Sequence, residues 1–372
     1  MHKSIALFAG DGAGRDQLRV VRCVLEAVAA RFGHQLSLID ALFGAAAQAR
    51  RGHALPEETR LLARDVDALF IAFACDAVPR SYPDADAINA RRAATARATS
   101  HLALDLDAGA TLRPVHAYPS SSDIAALRPE LARAVDLLVV HPPAAPSPQR
   151  DALFDVERAR RSAITAFQMA QRRRRRLTCV DRGPSDSAGP SWRSVVDDLA
   201  RRFADVRVDH LAFDDAGRRL LEHPRRFDVI VTSALLGELL GDQAALLAGS
   251  LGLQGTATVG GRTDLYAPTR AETILDDGDG PRVINPVGSV AAVALCLEHS
   301  LGMPDEARAV SDAIQGVLAL GYYTADLRFH VPRHQRGLVD TRGMRQLLCH
   351  YITHGHSHDD AQRGEDARGL SS

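Results

Sequence analysis

The 372-residue chain is too long for one small core, and 46% hydrophobic against 24% charged residues is the balance of a chain that folds around a buried interior. Lys+Arg 45 against Asp+Glu 46 leaves a formal charge of -1, so no global basic field exists to hold nucleic acid or an anionic membrane. Short apolar runs alternate with amphipathic stretches of helical length, which is the grammar of an α/β fold. The first strand is expected at 4–9, followed by the glycine turn Gly10-Asp11-Gly12-Ala13-Gly14 and a helix through Arg31. Further strands are expected at 35–39, 68–73, 137–140, 176–181, 206–211 and 229–232. Long helices are expected at 163–171, 192–202, 235–248, 287–300 and 305–320.

Between Pro142 and Pro148 successive X-Pro restrictions exclude a helix or inner strand and leave an extended surface segment. Five arginines, 172–176, sit where a helix gives way to a strand; a solvated helix end is expected there ahead of a nucleic-acid patch. The segment 354–372 is polar and reads as a disordered tail, with metal binding by His354, His356 and His358 as the alternative. Cys23, Cys75, Cys179, Cys296 and Cys349 fall singly and in odd number, the pattern of reduced, buried thiols in cytoplasm. The start of the chain has no basic leader with a long apolar run, and no apolar stretch reaches the length of a membrane span, so a soluble cytoplasmic protein is expected. Lys3 is the only lysine; 44 of the 45 basic residues are arginine.

The motifs GDGAG at 10–14, LPEET at 55–59, TLRP at 111–114, DLLVV at 136–140, FDVIVT at 227–232, LLAGSLGL at 246–253, Asn285-Pro286 and GYYTADL at 321–327 together resemble the isopropylmalate/isocitrate dehydrogenases, and most closely the isopropylmalate branch. The likeness covers residues 3 to 350. It implies an open three-layer α/β/α body of two domains with the active cleft between them. The first, cofactor-side domain would take residues 1–108 and 249–353, and the second, dimerisation domain 109–248. It also implies a homodimer in which an arm of one subunit completes the partner's site; the stretch where that arm should emerge, 141–163, is short and proline-rich.

Oxidising a 2-hydroxy acid and releasing its β-carboxylate as carbon dioxide needs a divalent metal, a base, an acid for the enolate and cationic grips for carboxylates. The resemblance puts Mg or Mn on Asp214 (from the partner in the family), Glu238 and Asp242, with Glu238 where the family has an aspartate. Glu238 and Asp242 are four apart on one expected helix and share a face, where a solvated acidic pair is the alternative. The family base is a lysine, but Arg182 ends the matching segment Thr178-Cys179-Val180-Asp181-Arg182, and guanidinium does not give up its proton near neutral pH. The family acid is a tyrosine in the arm, and this chain has none between Tyr118 and Tyr266. Arg113 matches one of three substrate-binding arginines; Ala103 and His141 stand at the other two. Without the resemblance, Arg113 reads first as an ion pair bracing a strand end.

For NAD(P), the family loop that wraps the adenosine moiety corresponds to Leu265 through Gly280, closing at Asn285-Pro286. Glu272 and Asp276, Asp277 and Asp279 put negative charge near the diphosphate position. Asn285 with Asp276 or Asp277 would supply the remaining dinucleotide contacts. A second loop, Ala72-Phe73-Ala74-Cys75-Asp76, lacks the glycines expected around a cofactor. Losing base and acid together costs about 10³ or more in rate. The sequence therefore favours a divergent, inactive or very weak relative. That relative would serve in regulation, in assembly as a homodimer or with an active paralogue, or in binding a small anion through Arg113, Arg182 and Arg270. The alternative is an active Mg/Mn- and NAD(P)-dependent decarboxylating dehydrogenase for another 2-hydroxy acid, with a histidine or metal-bound water as base.

Overall fold

A computed structural model describes residues 2–10, 12–72, 85–118, 129–147, 155–182, 191–269, 273–274, 283–327 and 337–355. Ten strands form one sheet: β1 (His2–Ala9), β2 (Gln35–Leu42), β3 (Ala68–Ala72), β4 (Ala110–His116), β5 (Asp136–His141), β6 (Arg176–Asp181), β7 (Arg207–Ala212), β8 (Val229–Val231), β9 (Gly255–Val259) and β10 (Asp264–Pro268). Their order is β2-β1-β3-β10-β9-β4-β5-β8-β6-β7. Strands β1, β2, β3 and β10 run parallel, β9 and β4 are antiparallel to both their neighbours, and β5, β8, β6 and β7 run parallel. The first and last parts of the chain thus build one end of the sheet and residues 110–231 the other. Two small pairs stand apart, β11 (Thr273–Ile274) with β12 (Val283–Ile284) and β13 (Tyr322–Tyr323) with β14 (Gly337–Leu338).

The helices are α1 (Gly12–Phe32), α2 (Gly44–Arg51), α3 (Glu57–Arg64), α4 (Ala85–Asp105), α5 (Pro129–Ala132), α6 (Val156–Arg172), α7 (Trp192–Ala200), α8 (Phe213–Glu222), α9 (Ala234–Leu247), α10 (Val287–His299), α11 (Pro304–Ala319) and α12 (Thr341–His354). No helix among the described residues is long and apolar enough to cross a membrane.

Side-chain alternation along the strands sorts the core into layers. Ile5 and Leu7 of β1, Phe70 of β3, Leu138 and Val140 of β5 and Cys179 of β6 share one apolar cluster with residues of α1, α6, α10 and α12. On the opposite face the cluster is divided. Phe8, Leu69 and Ile71 pack with Phe43 and Leu102, while Val139, Val180 and Ile230 pack with Leu220 and Leu240. The break falls at β9 and β4, in the middle of the sheet. Because Leu112 joins the undivided face, its neighbour Arg113 points into the divided one.

All the expected strands and helices form, with ends shifted by a few residues, but β4, β9 and β10 were not expected as strands. Arg113 and Pro114 interrupt the apolar run of β4, although Pro114 does pair with Leu138. Residues 265–268, expected in a dinucleotide loop, instead form β10 at the sheet centre, where Tyr266 is fully buried and bonded to Ser300 Oγ at 2.7 Å. The arginine run is not simply a solvated helix end. Arg173 Nε donates to Asp228 at 2.9 Å, and the Arg174 backbone N–H donates to the same carboxylate at 2.9 Å. Residues 142–147 are neither helix nor strand, as expected; Pro148 lies outside the described residues. Helix α12 runs through His354, so order extends further than the tail expectation allowed; residues 356–372 lie outside the description.

The Asp228 side chain is 0% exposed, whereas Asp136, which pairs with Arg173 at 2.7 Å, is 56% exposed. Asp228→Ala is expected to lower stability by about 3–5 kcal/mol because it strands buried donors. Asp136→Ala should cost under about 1 kcal/mol. Urea unfolding of the two variants checks the contrast.

Candidate active site

Helix α9 reads ALLGELLGDQAALL, and its glycines explain how it lies on the sheet. A Cβ at Gly237 would come within 2.6 Å of the His141 ring, and one at Gly241 within 2.7 Å of Arg113 Cζ. Stripping the side chain from positions four apart clears one stripe of the helix, so imidazole and guanidinium fit directly against its backbone. The residue after each glycine is acidic. Glu238 Oε2 lies 2.6 Å from Arg113 Nη1, and Asp242 Oδ1 lies 2.6 Å from Nη2. Nη1 also donates to the Glu238 carbonyl at 3.0 Å.

Arg113 is only 2% exposed, so its charge must be compensated inside the protein. The two carboxylates do this, while Nε remains buried without an acceptor among the described residues. His141, 1% exposed, ends β5. The tautomer in which its Nδ1 donates to the Pro142 carbonyl at 2.8 Å turns Nε2 toward Glu238 Oε1, 3.4 Å away. Thr232 closes the strand ends beside it: its N–H reaches the Val140 carbonyl at 3.2 Å and its hydroxyl the Val180 carbonyl at 2.6 Å.

Four of the residues singled out in the sequence therefore meet: Arg113, His141, Glu238 and Asp242. The others do not join them. Arg182 is exposed just beyond β6 and makes no ion pair among the described residues. Asp214 is exposed in the first turn of α8. Ala103, at a family arginine position, is buried on α4. Asn285 is occupied internally: its carbonyl accepts from the Val287 N–H at 3.0 Å and its amide donates to Asp326 at 2.9 Å. Burial raises the Asp326 carboxyl above the usual carboxylate range, against the pull of Thr324 and Asn285. Asp276, Asp277, Arg270, Glu272 and the 73–76 loop lie outside the described residues. Sequence reasoning missed Gly237 and Gly241, whose signal was the four-residue repeat in Gly237-Glu238 and Gly241-Asp242.

The fit to a divalent metal fails within one chain. Arg113 bonds one oxygen of each carboxylate, while Glu238 stays 53% exposed and Asp242 21% exposed, so the pair is solvated on one side and engaged by the guanidinium on the other. Asp214 is not beside them, and no group of three His, Cys, Asp or Glu among the described residues is placed to hold a metal ion.

Residues 4–142 and 149–344 match the sequence pattern of the family described as isocitrate/isopropylmalate dehydrogenase. A 3-isopropylmalate dehydrogenase of Synechococcus sp. is 34% identical over 346 residues, covering 87% of this chain and 90% of the relative. One from Nitratidesulfovibrio vulgaris is 33% identical over 375 residues, covering 95% and 100%. The crystal structure of isocitrate dehydrogenase from Methylococcus capsulatus superposes with TM-score 0.75 at 23% identity, covering 95% of this chain and all of that one; it speaks to the fold, which is isopropylmalate dehydrogenase-like.

Gly241→Ala is expected to push on the Arg113 guanidinium and cost about 1–3 kcal/mol. Gly217→Ala on α8, whose Cβ would meet only Gln243 Oε1 at 3.6 Å, should be neutral or stabilising by up to about 1 kcal/mol. Thermal or urea unfolding of the pair separates close packing from general helix propensity.

Proposed function

The chain belongs to the isocitrate/isopropylmalate dehydrogenase family, and within it we propose a catalytically depleted member, inactive or very weak in NAD-dependent oxidative decarboxylation of a 2-hydroxy acid. One observation carries this reading. The only lysine of the chain, Lys3, is ion-paired to Asp67 at 2.8 Å on β1. That strand is five positions along the sheet from β5 and its His141, about 24 Å at the usual strand spacing. Among the described residues of one chain no lysine amine stands near the Arg113 cluster to take a hydroxyl proton, and a guanidinium such as that of Arg182 is no substitute. Arg113 itself already has two carboxylate partners, so a substrate carboxylate must displace one of them or use the unbonded Nε. The role this reading assigns is non-catalytic: regulation, assembly with an active paralogue, or binding of a small anion through Arg113, Arg182 and Arg270.

A second reading, an active dehydrogenase with a substituted base, is favoured by one feature: the His141 imidazole is held by the Pro142 carbonyl with Nε2 turned into the cluster. In that reading Nε2 is the atom that would take the hydroxyl proton.

A homodimer is part of the proposal. Leu235, Leu239 and Leu246 are exposed along α9, and Leu221 is exposed on α8. A stripe of this kind fits a second copy of the same helices. Cytoplasmic placement is proposed on the odd count of singly placed cysteines.

With NAD or NADP, Mg or Mn, and isopropylmalate, malate or tartrate, reduced-nicotinamide formation is expected at least about 10³-fold below ordinary turnover. Ordinary turnover that is abolished by His141→Asn would overturn this in favour of the second reading. Light scattering is expected to give a dimer for the native chain and a monomer for a Leu235→Arg, Leu239→Arg variant.

A further inference from the structure

We propose that Cys23 and Cys349 are a reversible disulfide site, oxidised by exchange with a small-molecule disulfide. The two residues are 326 positions apart, yet their Sγ atoms lie 2.7 Å from one another, within about 1 Å of the roughly 2.05 Å disulfide bond length. Cys23 sits on α1 and Cys349 on α12, two helices that pack side by side. Met344, Leu348, Tyr351 and Ile352 of α12 are buried, and Arg31 Nη1 of α1 donates to the Ile352 carbonyl at 2.6 Å. The meeting of the thiols is therefore set by a packed helix pair and not by a loop.

This corrects the expectation of uniformly buried thiols. Cys179 and Cys296 are buried, whereas Cys23 and Cys349 are only half-buried, the two of these four with a side open to a small oxidant in the proposal. Burial, then the adjoining Cys23 thiol, pushes the Cys349 thiol above the usual range. Cys349 thus starts the exchange poorly, and Cys23 opens it. The Cys23 thiolate attacks one sulfur of the small disulfide, forming a mixed disulfide and expelling one small thiol. Cys349 Sγ then attacks Cys23 Sγ, forming the protein disulfide and expelling the second small thiol. Two protein thiols are oxidised, one small disulfide is reduced to two thiols, and the two protein protons end on the released thiols. The short separation makes the second step effectively intramolecular, so the mixed disulfide does not accumulate. A reducing compartment keeps the pair as thiols, and oxidation there pins the helix nearest the end of the described chain to the first helix.

The full-length chain is incubated with oxidised glutathione, then mapped by mass spectrometry of unreduced peptides, with and without later dithiothreitol. The expected result is a Cys23–Cys349 linked peptide, loss of two of the five thiols, and dithiothreitol reversal of both. The linked form should melt at least about 2 °C higher, a rise that Cys23→Ser and Cys349→Ser each abolish. An unchanged thiol count, stable separate glutathione adducts, a link to Cys75, Cys179 or Cys296, or a link between two chains would each overturn the proposal.

Discussion

A single buried guanidinium organises the middle of this molecule. Arg113 stands on β4 where the apolar packing of one sheet face divides, and it is nearly inaccessible to water. A charge so placed must be answered by charge. The fold answers it with two carboxylates from consecutive turns of α9, and makes room for the contact with two glycines. Sequence, packing and electrostatics of that helix follow from one residue. Leu240 and Ala244 turn into the core, Gly237 and Gly241 give way to the sheet's polar side chains, and Leu235 and Leu239 are left outside.

The same constraint bears on chemistry. A carboxylate bonded to guanidinium at 2.6 Å has spent its best acceptor geometry. A divalent ion would have to compete with an arginine whose charged partners among the described residues are these two carboxylates. Membership of a dehydrogenase family therefore fixes the scaffold without fixing the reaction, which depends on how each group is engaged. Here one guanidinium faces two carboxylates, which leaves the cluster one negative charge in excess, with the His141 imidazole at its margin.

Much of the architecture was legible in the sequence because strands covered on both faces read as unbroken apolar runs. Ala-Leu-Phe-Ile-Ala of β3 and Val-Ile-Val of β8 are such runs, buried at every position. β4 was not legible, since an arginine and a proline argue against an inner strand unless one knows that α9 supplies the counter-charges. The four-residue spacing of Glu238 and Asp242 was readable, as was Arg113 as an ion-pair candidate. That the three form one unit was not, because the partners are 125 and 129 residues apart and only the sheet brings them together. The arginine run failed for a similar reason: its carboxylate, Asp228, arrives from a strand edge more than fifty residues later.

The residues that match the family pattern have folding work to do, which explains how a recognisable pattern persists at 33–34% identity. The Gly10 carbonyl accepts from the Ala45 N–H and the Thr95 hydroxyl, both at 3.0 Å, and fixes the first turn to α2 and α4. Asn285 caps the start of α10 and holds Asp326. Thr232 fastens three strand ends, and Arg113 anchors α9. The departures are of both kinds: Arg182 projects into solvent, whereas Ala103 is buried on α4, His141 is buried against α9 and Glu238 is bonded to Arg113. Removing a structural anchor costs several kcal/mol, a large fraction of total stability, whereas replacing an exposed side chain costs almost none. Resemblance at the anchors is accordingly a statement about folding, and only groups without a packing role report on catalysis.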